Sequence, residues 1–269
     1  MREPHEDRDP AMWRPPEGLF PANAWFGMTL RRGGGSSGPY ASLNLGLEVG
    51  DDRGSVLRNR ALVLTALGID GAGPARLHQV HGSRIVKPFE APCRADGFFL
   101  EPEDPWAAVS AADCAPVAIV ARTGAFGALL HSGWRGARDR IAALAARLLV
   151  ERGVEATDLR AAIGPCIHAC CYPVGPEVAG DFPREVLRPH PAGVALDLPL
   201  AIARALTEAG LPGDAIHAAP ECTSCRADDF YSHRRDRGVT GRHWALLRLE
   251  RSGAPDARRA GDGGSSAPP

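Results

Sequence analysis

Apolar residues recur along this chain with two periods, and the switches between them predict its elements. Over 53–67, Val56, Val63, Leu64 and Leu67 share one face of a 3.6-residue repeat and Gly68 follows, which predicts a helix closed by glycine. Residues 107–111 and 117–120 are short unbroken apolar runs, as expected of strands covered on both faces. Pro116 stands just before the second run, and Cys114 lies between them. Residues 127–131 predict another strand, followed by a Gly-x-x-Gly turn. A helix then carries Ile141, Leu144, Ala145, Leu148 and Leu149 on its apolar face and ends at Gly153. Strand pieces at 77–80 and 83–86 flank His81. A strand over 159–163 runs into the turn Gly164-Pro165. A helix over 198–209 has Asp197 as its N-cap and Gly210 after its end, and 244–249 is the last strand.

Strands thus alternate with a few helices but lack a regular βαβ rhythm. The expected fold class is α/β, a single-domain mixed α/β sandwich rather than a doubly wound sheet. No linker or repeat interrupts 20–250, the expected catalytic domain. The head 1–19 and the tail 251–269 are polar and rich in proline or glycine, and both read as disordered.

With 269 residues, 44% of them hydrophobic, the chain can bury a full-sized core. Its 31 Lys+Arg and 32 Asp+Glu nearly cancel. The balance excludes a global attraction to nucleic acid or to an anionic membrane, so an anionic ligand needs local arginines. No apolar run reaches membrane-spanning length, and 1–16 lacks the apolar core of a signal peptide, which reads as cytoplasmic. In a reducing compartment the seven cysteines are metal ligands, buried thiols or nucleophiles rather than disulfides.

Three segments carry the strongest candidate chemistry. They are Gln79-Val80-His81-Gly82, Ala112-Asp113-Cys114 and His131-Ser132-Gly133-Trp134-Arg135-Gly136. His81, Cys114 and His131 are good zinc ligands, and three protein ligands leave a fourth tetrahedral position for water or substrate, as in catalytic sites. His78 rivals His81, since an alternating strand would turn them to opposite faces. Asp113 could orient a ligand from behind. The same atoms also read as a cysteine hydrolase with Cys114 as nucleophile and His131 as base. Cys222-Thr223-Ser224-Cys225 is a redox pair, half of a second metal site with Cys166, Cys170 or Cys171, or two reduced thiols in a turn. No second pair has knuckle spacing, which favours the last. Arg32, Arg135 and Arg235 are candidate phosphate ligands, Arg135 through its place near a helix N-terminus. The glycine-rich stretch 31–40 reads as a flexible surface turn. There is no P-loop, dinucleotide fingerprint or nucleophile elbow.

Several motifs in order resemble the YfiH-type family. They are Gly38-Pro39-Tyr40-Ala41-Ser42-Leu43-Asn44-Leu45-Gly46 with Val49-Gly50-Asp51-Asp52, then Gln79-Val80-His81-Gly82, Ala95-Asp96-Gly97, Ala112-Asp113-Cys114-Ala115-Pro116-Val117, His131-Ser132-Gly133-Trp134-Arg135-Gly136, Ile163-Gly164-Pro165-Cys166-Ile167 and Thr240-Gly241-Arg242. The resemblance spans roughly 24–249. It implies a zinc-dependent purine nucleoside phosphorylase with adenosine deaminase activity, in a family once described as multicopper polyphenol oxidase or laccase. It also implies a fold similar to the deamidase domain of the cytotoxic necrotising factor toxins, and His81, Cys114 and His131 as zinc ligands in preference to His78. Expected partners are a purine nucleoside and inorganic phosphate, with Ser36 and Asn44 as ribose or base contacts, in a monomer or small homo-oligomer. Ser132, His168, Ala169, Pro173 and His233 depart from the family pattern.

Two rivals remain. Copper-dependent phenol oxidation needs more ligands than nine histidines without a His-x-His pair supply, although copper could occupy the zinc ligands opportunistically. A zinc-stabilised interaction module would instead need a closed four-ligand site.

Overall fold

The apolar runs become strands whose alternate residues enter different cores. The structure, a computed structural model, describes residues 11–251. In chain order the strands are β1 (Met12–Trp13), β2 (Ala24–Thr29), β3 (Ala75–Arg76), β4 (Ile85–Val86), β5 (Gly97–Leu100), β6 (Ala107–Ala111), β7 (Ala115–Ala121), β8 (Gly127–Ser132), β9 (Leu159–Ile163), β10 (Pro173–Val174), β11 (Leu187–His190), β12 (Gly193–Leu196), β13 (Ile216–Ala218) and β14 (His243–Leu249). The helices are α1 (Arg53–Ala66), α2 (Trp134–Arg138), α3 (Ile141–Glu151), α4 (Pro176–Ala179) and α5 (Leu198–Glu208).

One mixed sheet has the order β1-β2-β14-β6-β3 and another β13-β9-β7-β8-β5-β4, while β10-β12-β11 form a small third. Along β7, Val117 and Ile119 pack with Ile141 and Leu149 of α3 and Ile202 and Leu206 of α5. Ala118 and Val120 point the other way, to Phe26, Met28, Val109 and Leu247 of the first sheet. On that sheet's outer face, Trp244 and Leu246 meet Val63 of α1 with Leu43 and Leu45. The layers therefore run α1, sheet, sheet, α3 with α5: the mixed α/β sandwich that the sequence predicts. Burial on both faces is why β7 reads as a continuous apolar run, and each large side chain there contributes about 1.5–3 kcal/mol. The chain passes from β6 in one sheet to β7 in the other through Ala112-Asp113-Cys114 alone. The candidate cysteine therefore sits on the crossover.

Several expectations shift. The apolar face of α3 is Ile141, Ala142, Ala145, Ala146 and Leu149, while Leu144 and Leu148 are 37% and 36% exposed. Small alanines let this helix lie close to the sheet, and the two leucines are left at its rim. Residues 77–80 form no strand beyond a single bridge from His78 to Arg94, and the piece expected at 83–86 shrinks to β4. Met12 and Trp13, expected in a disordered head, pair with Thr29 and Met28, and the Trp13 ring meets Phe26 edge-on at 6.1 Å. Residues 1–10 and 252–269 of the expected head and tail lie outside the described residues. Among the described residues no helix is long and apolar enough to cross a membrane.

His243 opens β14 fully buried, and its Nε2 accepts the Tyr231 N–H at 2.8 Å. Burial, and less strongly the charges of Arg31, Arg242 and Arg235, push its pKa down to about 3. Below about pH 6.5 the unfolded chain takes up a proton that the folded chain refuses, so stability falls with pH from there toward 3. We expect His243→Gln to remove a loss of about 1.4 kcal/mol per pH unit below 6.5. Urea unfolding at pH 7.5 and 5.5 checks this: the gap between the two pH values should be smaller in the variant than in the wild type.

Candidate metal centre

The register of the second sheet lines up the centre. β7 and β8 pair with Pro116 opposite His131 and Ala115 opposite Ser132, so Cys114 lies just beyond the end of β7 beside His131. On the other side of β8, Gly97 of β5 faces Leu130, and His131 N–H donates to the Asp96 carbonyl at 2.8 Å. Asp113 has φ +92°, a sharp turn that aims the next residue off the strand.

His81 arrives on the irregular loop between β3 and β4, and one carboxylate holds that loop. Asp96, fully buried, accepts the backbone N–H groups of Val80 at 3.1 Å, His81 at 2.9 Å and Gly82 at 2.7 Å. Three successive N–H groups converging on one anion require an unusual backbone, and His81 has φ +59°. Asp96 also accepts from His131 Nδ1 at 2.9 Å. That bond puts the ring proton on Nδ1 and leaves Nε2 as the free ligand nitrogen, a recurring arrangement behind metal-bound histidines. Burial would raise the Asp96 carboxyl, but the His131 bond and the Gly82 and Val80 N–H groups hold it below the usual range.

The ligand atoms of His81, Cys114 and His131 lie within 4.8 Å of one another. Zinc bond lengths would set them about 3.3–3.8 Å apart, a small adjustment. The donor set therefore fits a tetrahedral metal. Among the described residues no fourth His, Cys, Asp or Glu joins the set, and His81 is exposed, so the remaining position faces outward. Gly133 makes the approach possible. A Cβ there would stand 2.8 Å from Cys114 Sγ and 3.4 Å from His81 Cδ2.

With no metal counted, the centre is an ion pair. Burial would push the Cys114 thiol up, but the charge of His131 and hydrogen bonds from His131 and His81 outweigh it and bring the pKa to about 6. Burial would likewise lower His131, yet the Cys114 charge and the Asp96 bond raise it to about 9. A thiolate is the form a metal needs, and it is also the form of a cysteine nucleophile.

The other expected residues divide. His78 pairs its backbone with Cys93 and stays outside the ligand set. The Asp113 carboxylate accepts from Thr223 Oγ1 and from Arg234 N–H, both at 2.7 Å, so it anchors two loops behind Cys114. The carboxylate on a candidate ligand is Asp96. Ser36, Asn44, Asp51 and Asn59 satisfy one another in a buried network, which occupies the atoms expected to meet ribose or base. Arg32 pairs with Asp229 at 2.6 Å. Arg235 directs Nε, Nη1 and Nη2 to Asp236 and to the carbonyls of Thr223, Ser224 and Phe230, which uses all five donors. Arg235 therefore has no donor to spare, while Arg32 is tied through Nε and Nη2 to the Asp228 carbonyl and the Asp229 carboxylate. Arg135, on the five-residue helix α2, is exposed, stacked on Trp134 at 4.3 Å and without a carboxylate partner among the described residues.

Three residues without a role in the sequence reading stand near Cys114. Tyr172 is close enough for the charges of Cys114, Asp113, Arg234 and Arg135 to act on it, and burial followed by the Cys114 charge pushes its hydroxyl pKa up. Arg234 lies over the Tyr172 ring at 4.9 Å, with Nη1 on the Pro173 carbonyl at 2.8 Å. Arg242 is largely buried, which lowers its pKa, while the charges of Cys114 and Asp113 oppose that shift. Its Nη1 bonds the Thr240 and Gly241 carbonyls, leaving Nε and Nη2 without protein partners among the described residues. His168 belongs elsewhere, since its N–H points at Cys222 Sγ at 3.5 Å.

Asp96→Asn should weaken metal retention about 10- to 100-fold, by losing the charge behind His131 and the acceptors of the His81 loop. Gly133→Ala should also weaken it, by displacing Cys114 Sγ. Competition against a chromophoric chelator reads both, and wild-type retention in either variant would contradict this geometry.

The sequence model described as multi-copper polyphenol oxidoreductase laccase matches residues 25–250. The purine nucleoside phosphorylase YlmD of Geobacillus stearothermophilus is 37% identical over 248 residues, covering 84% of this chain and 90% of that protein. A purine nucleoside phosphorylase of Deinococcus radiodurans is 38% identical over 230 residues, covering 83% and 88%. The crystal structure of the Geobacillus YlmD aligns with a TM-score of 0.78 at 36% identity, over 87% of this chain and 94% of that one. That of YfiH from Bacillus licheniformis gives 0.79 at 31% identity, over 84% and 93%. With its sequence motifs, its sandwich fold and these matches in agreement, the chain belongs to the YfiH-type family.

Proposed function

We propose that this protein is a metal-dependent purine nucleoside phosphorylase, converting adenosine, inosine or 5′-methylthioadenosine and phosphate to free base and a ribose 1-phosphate. The observation that carries this is an outward-facing three-ligand centre beside three arginines, Arg135, Arg234 and Arg242, with unpaired donors. It occurs on a chain 37% and 38% identical to proteins named purine nucleoside phosphorylase.

His81, Cys114 and His131 would hold zinc, which supplies Lewis-acid stabilisation of negative charge developing on the substrate. The protein's own groups do the rest. The guanidinium forks of Arg135, Arg234 and Arg242 match phosphate oxygens and would hold the nucleophile against the ribosyl carbon. That placement removes the entropic cost of bringing two substrates together and sets an anion beside the oxocarbenium-like carbon. Tyr172, whose proton is held by burial, supplies a neutral O–H donor on the same wall. Asp96 keeps the His131 proton on Nδ1 throughout. Adenosine deamination, with water attacking adenine C6 in place of phosphate attack on the sugar, is the expected side reaction at this centre.

A second reading rests on the Cys114–His131 ion pair, which suits a cysteine hydrolase when no metal is bound. Copper oxidation of phenols finds less support. The described residues gather two histidines here and no second histidine cluster elsewhere.

The test is product analysis with each nucleoside, with and without phosphate. Base release should require phosphate, disappear in Cys114→Ala and His131→Ala, stop after chelation and return with zinc. Arg242→Ala should raise the KM for phosphate on the order of 10- to 100-fold by removing charge-assisted hydrogen bonds. Turnover that survives chelation would move the assignment to the cysteine hydrolase.

A further inference from the structure

The most concentrated metal-ligating chemistry outside the first centre lies at Cys170, Cys171, Cys222 and Cys225. We propose that these four cysteines form a second, closed metal site that binds one zinc ion as a tetrathiolate and fastens together two loops bordering the first centre.

The four Sγ atoms lie within 4.8 Å of one another. Cys225 Sγ is 3.6 Å from Cys170 Sγ and 3.4 Å from Cys171 Sγ. A tetrahedron with zinc–sulfur bonds of about 2.3 Å has sulfur–sulfur edges of about 3.8 Å. The spacing is therefore that of thiolates around one ion. It is far beyond the ~2.0 Å of a disulfide bond. Cys225 is also nearly equidistant from two sulfurs, so no single pair is singled out for oxidation. All four are free thiols, and a cluster of several metal ions would need its sulfurs further apart. Four thiolates leave no open position, which is the signature of a structural site.

A second observation points the same way. The His168 N–H is directed at Cys222 Sγ at 3.5 Å. An N–H donated to a ligand sulfur stabilises its thiolate form, as outer partners of metal ligands do. Cys222 is buried while Cys170 and Cys225 are exposed, so the cluster reaches from the core to the surface and is open to an entering ion.

The chain brings the pairs together through its backbone. Cys166, just past β9, bridges Cys222, and Thr223 N–H donates to the Cys166 carbonyl at 3.0 Å. A single turn then delivers the adjacent Cys170 and Cys171 from one side, and Cys222-Thr223-Ser224-Cys225 faces them from the other. The second pair is contiguous and lies some 50 positions from the first. Spacing rules that look for two knuckles miss it, which is why the sequence alone favours reduced thiols in a turn.

Each loop leads to the first centre. Cys171 precedes Tyr172. Cys222 precedes Thr223, whose hydroxyl bonds Asp113 beside Cys114 and whose carbonyl takes Arg235. An ion at the four cysteines would clamp these loops in register. The site stands on its own ligands, whatever reaction the first centre performs.

The test uses the full chain purified without added chelator. Metal analysis should give about two zinc ions per chain in the wild type and about one in Cys225→Ser, in Cys170→Ser and in Cys114→Ala. Circular dichroism confirms folding of each variant. X-ray absorption on Cys114→Ala, whose first centre is disabled, should show sulfur scatterers alone around the remaining zinc, and this needs no change at the four cysteines. Wild-type metal content in a folded Cys225→Ser would overturn the site, as would nitrogen or oxygen neighbours in that spectrum. Iron in place of zinc would overturn the metal assignment.

Discussion

One buried carboxylate organises this molecule's chemistry. Asp96 accepts three consecutive backbone N–H groups from the loop carrying His81 and the Nδ1 proton of His131. A carboxylate in the interior is tolerated only when its partners are present, and removing a partner from such a group typically costs about 3–5 kcal/mol. The His81 loop, which has almost no ladder of its own, is therefore held through this carboxylate. The same constraint accounts for the left-handed backbone at His81 and for the tautomer of His131. Asp96 is itself fixed by backbone bonds on both sides, its N–H to Arg84 and its carbonyl to His131.

The sandwich supplies the rest of the frame. β5, β7 and β8 end together, and the chain leaves one sheet for the other through Cys114. His131 thus rides on one of the most buried strands, and Cys114 stands immediately before another. The opposite wall is built from loops, where Asp113 receives Thr223 and Arg234 and where Arg235 spends every donor on carbonyls and Asp236. Loops of this kind carry little apolar burial to hold them. The proposed zinc clamp at the four cysteines would support these loops from behind, leaving the open centre free for the proposed reaction.

Much of this was readable from residue order, and the exceptions have physical causes. The strands β6 and β9 and the cap and stop of α5 coincide with apolar runs, Asp197 and Gly210, because local pattern and tertiary burial agree there. The stretch 77–80 misled because its pairing stops at the single His78 bridge, and from Val80 to Gly82 the N–H groups turn to the Asp96 carboxylate. Ser36 and Asn44 were expected as ligand contacts from the resemblance, yet Asp51 and Asn59 already partner both. Arg242 and Arg234 could not be ranked above Arg32 and Arg235, since only the fold decides which guanidinium is already paired. The four cysteines stayed apart on paper because a parallel bridge, not sequence spacing, joins them.

The most direct test of the central claim is anomalous diffraction at the zinc edge from crystals grown with a nucleoside and phosphate. The account predicts a zinc peak between His81, Cys114 and His131, with the nucleoside on its open side and phosphate against Arg135, Arg234 and Arg242. A nucleoside and phosphate bound away from this centre, or a fourth protein ligand closing it, would contradict the account.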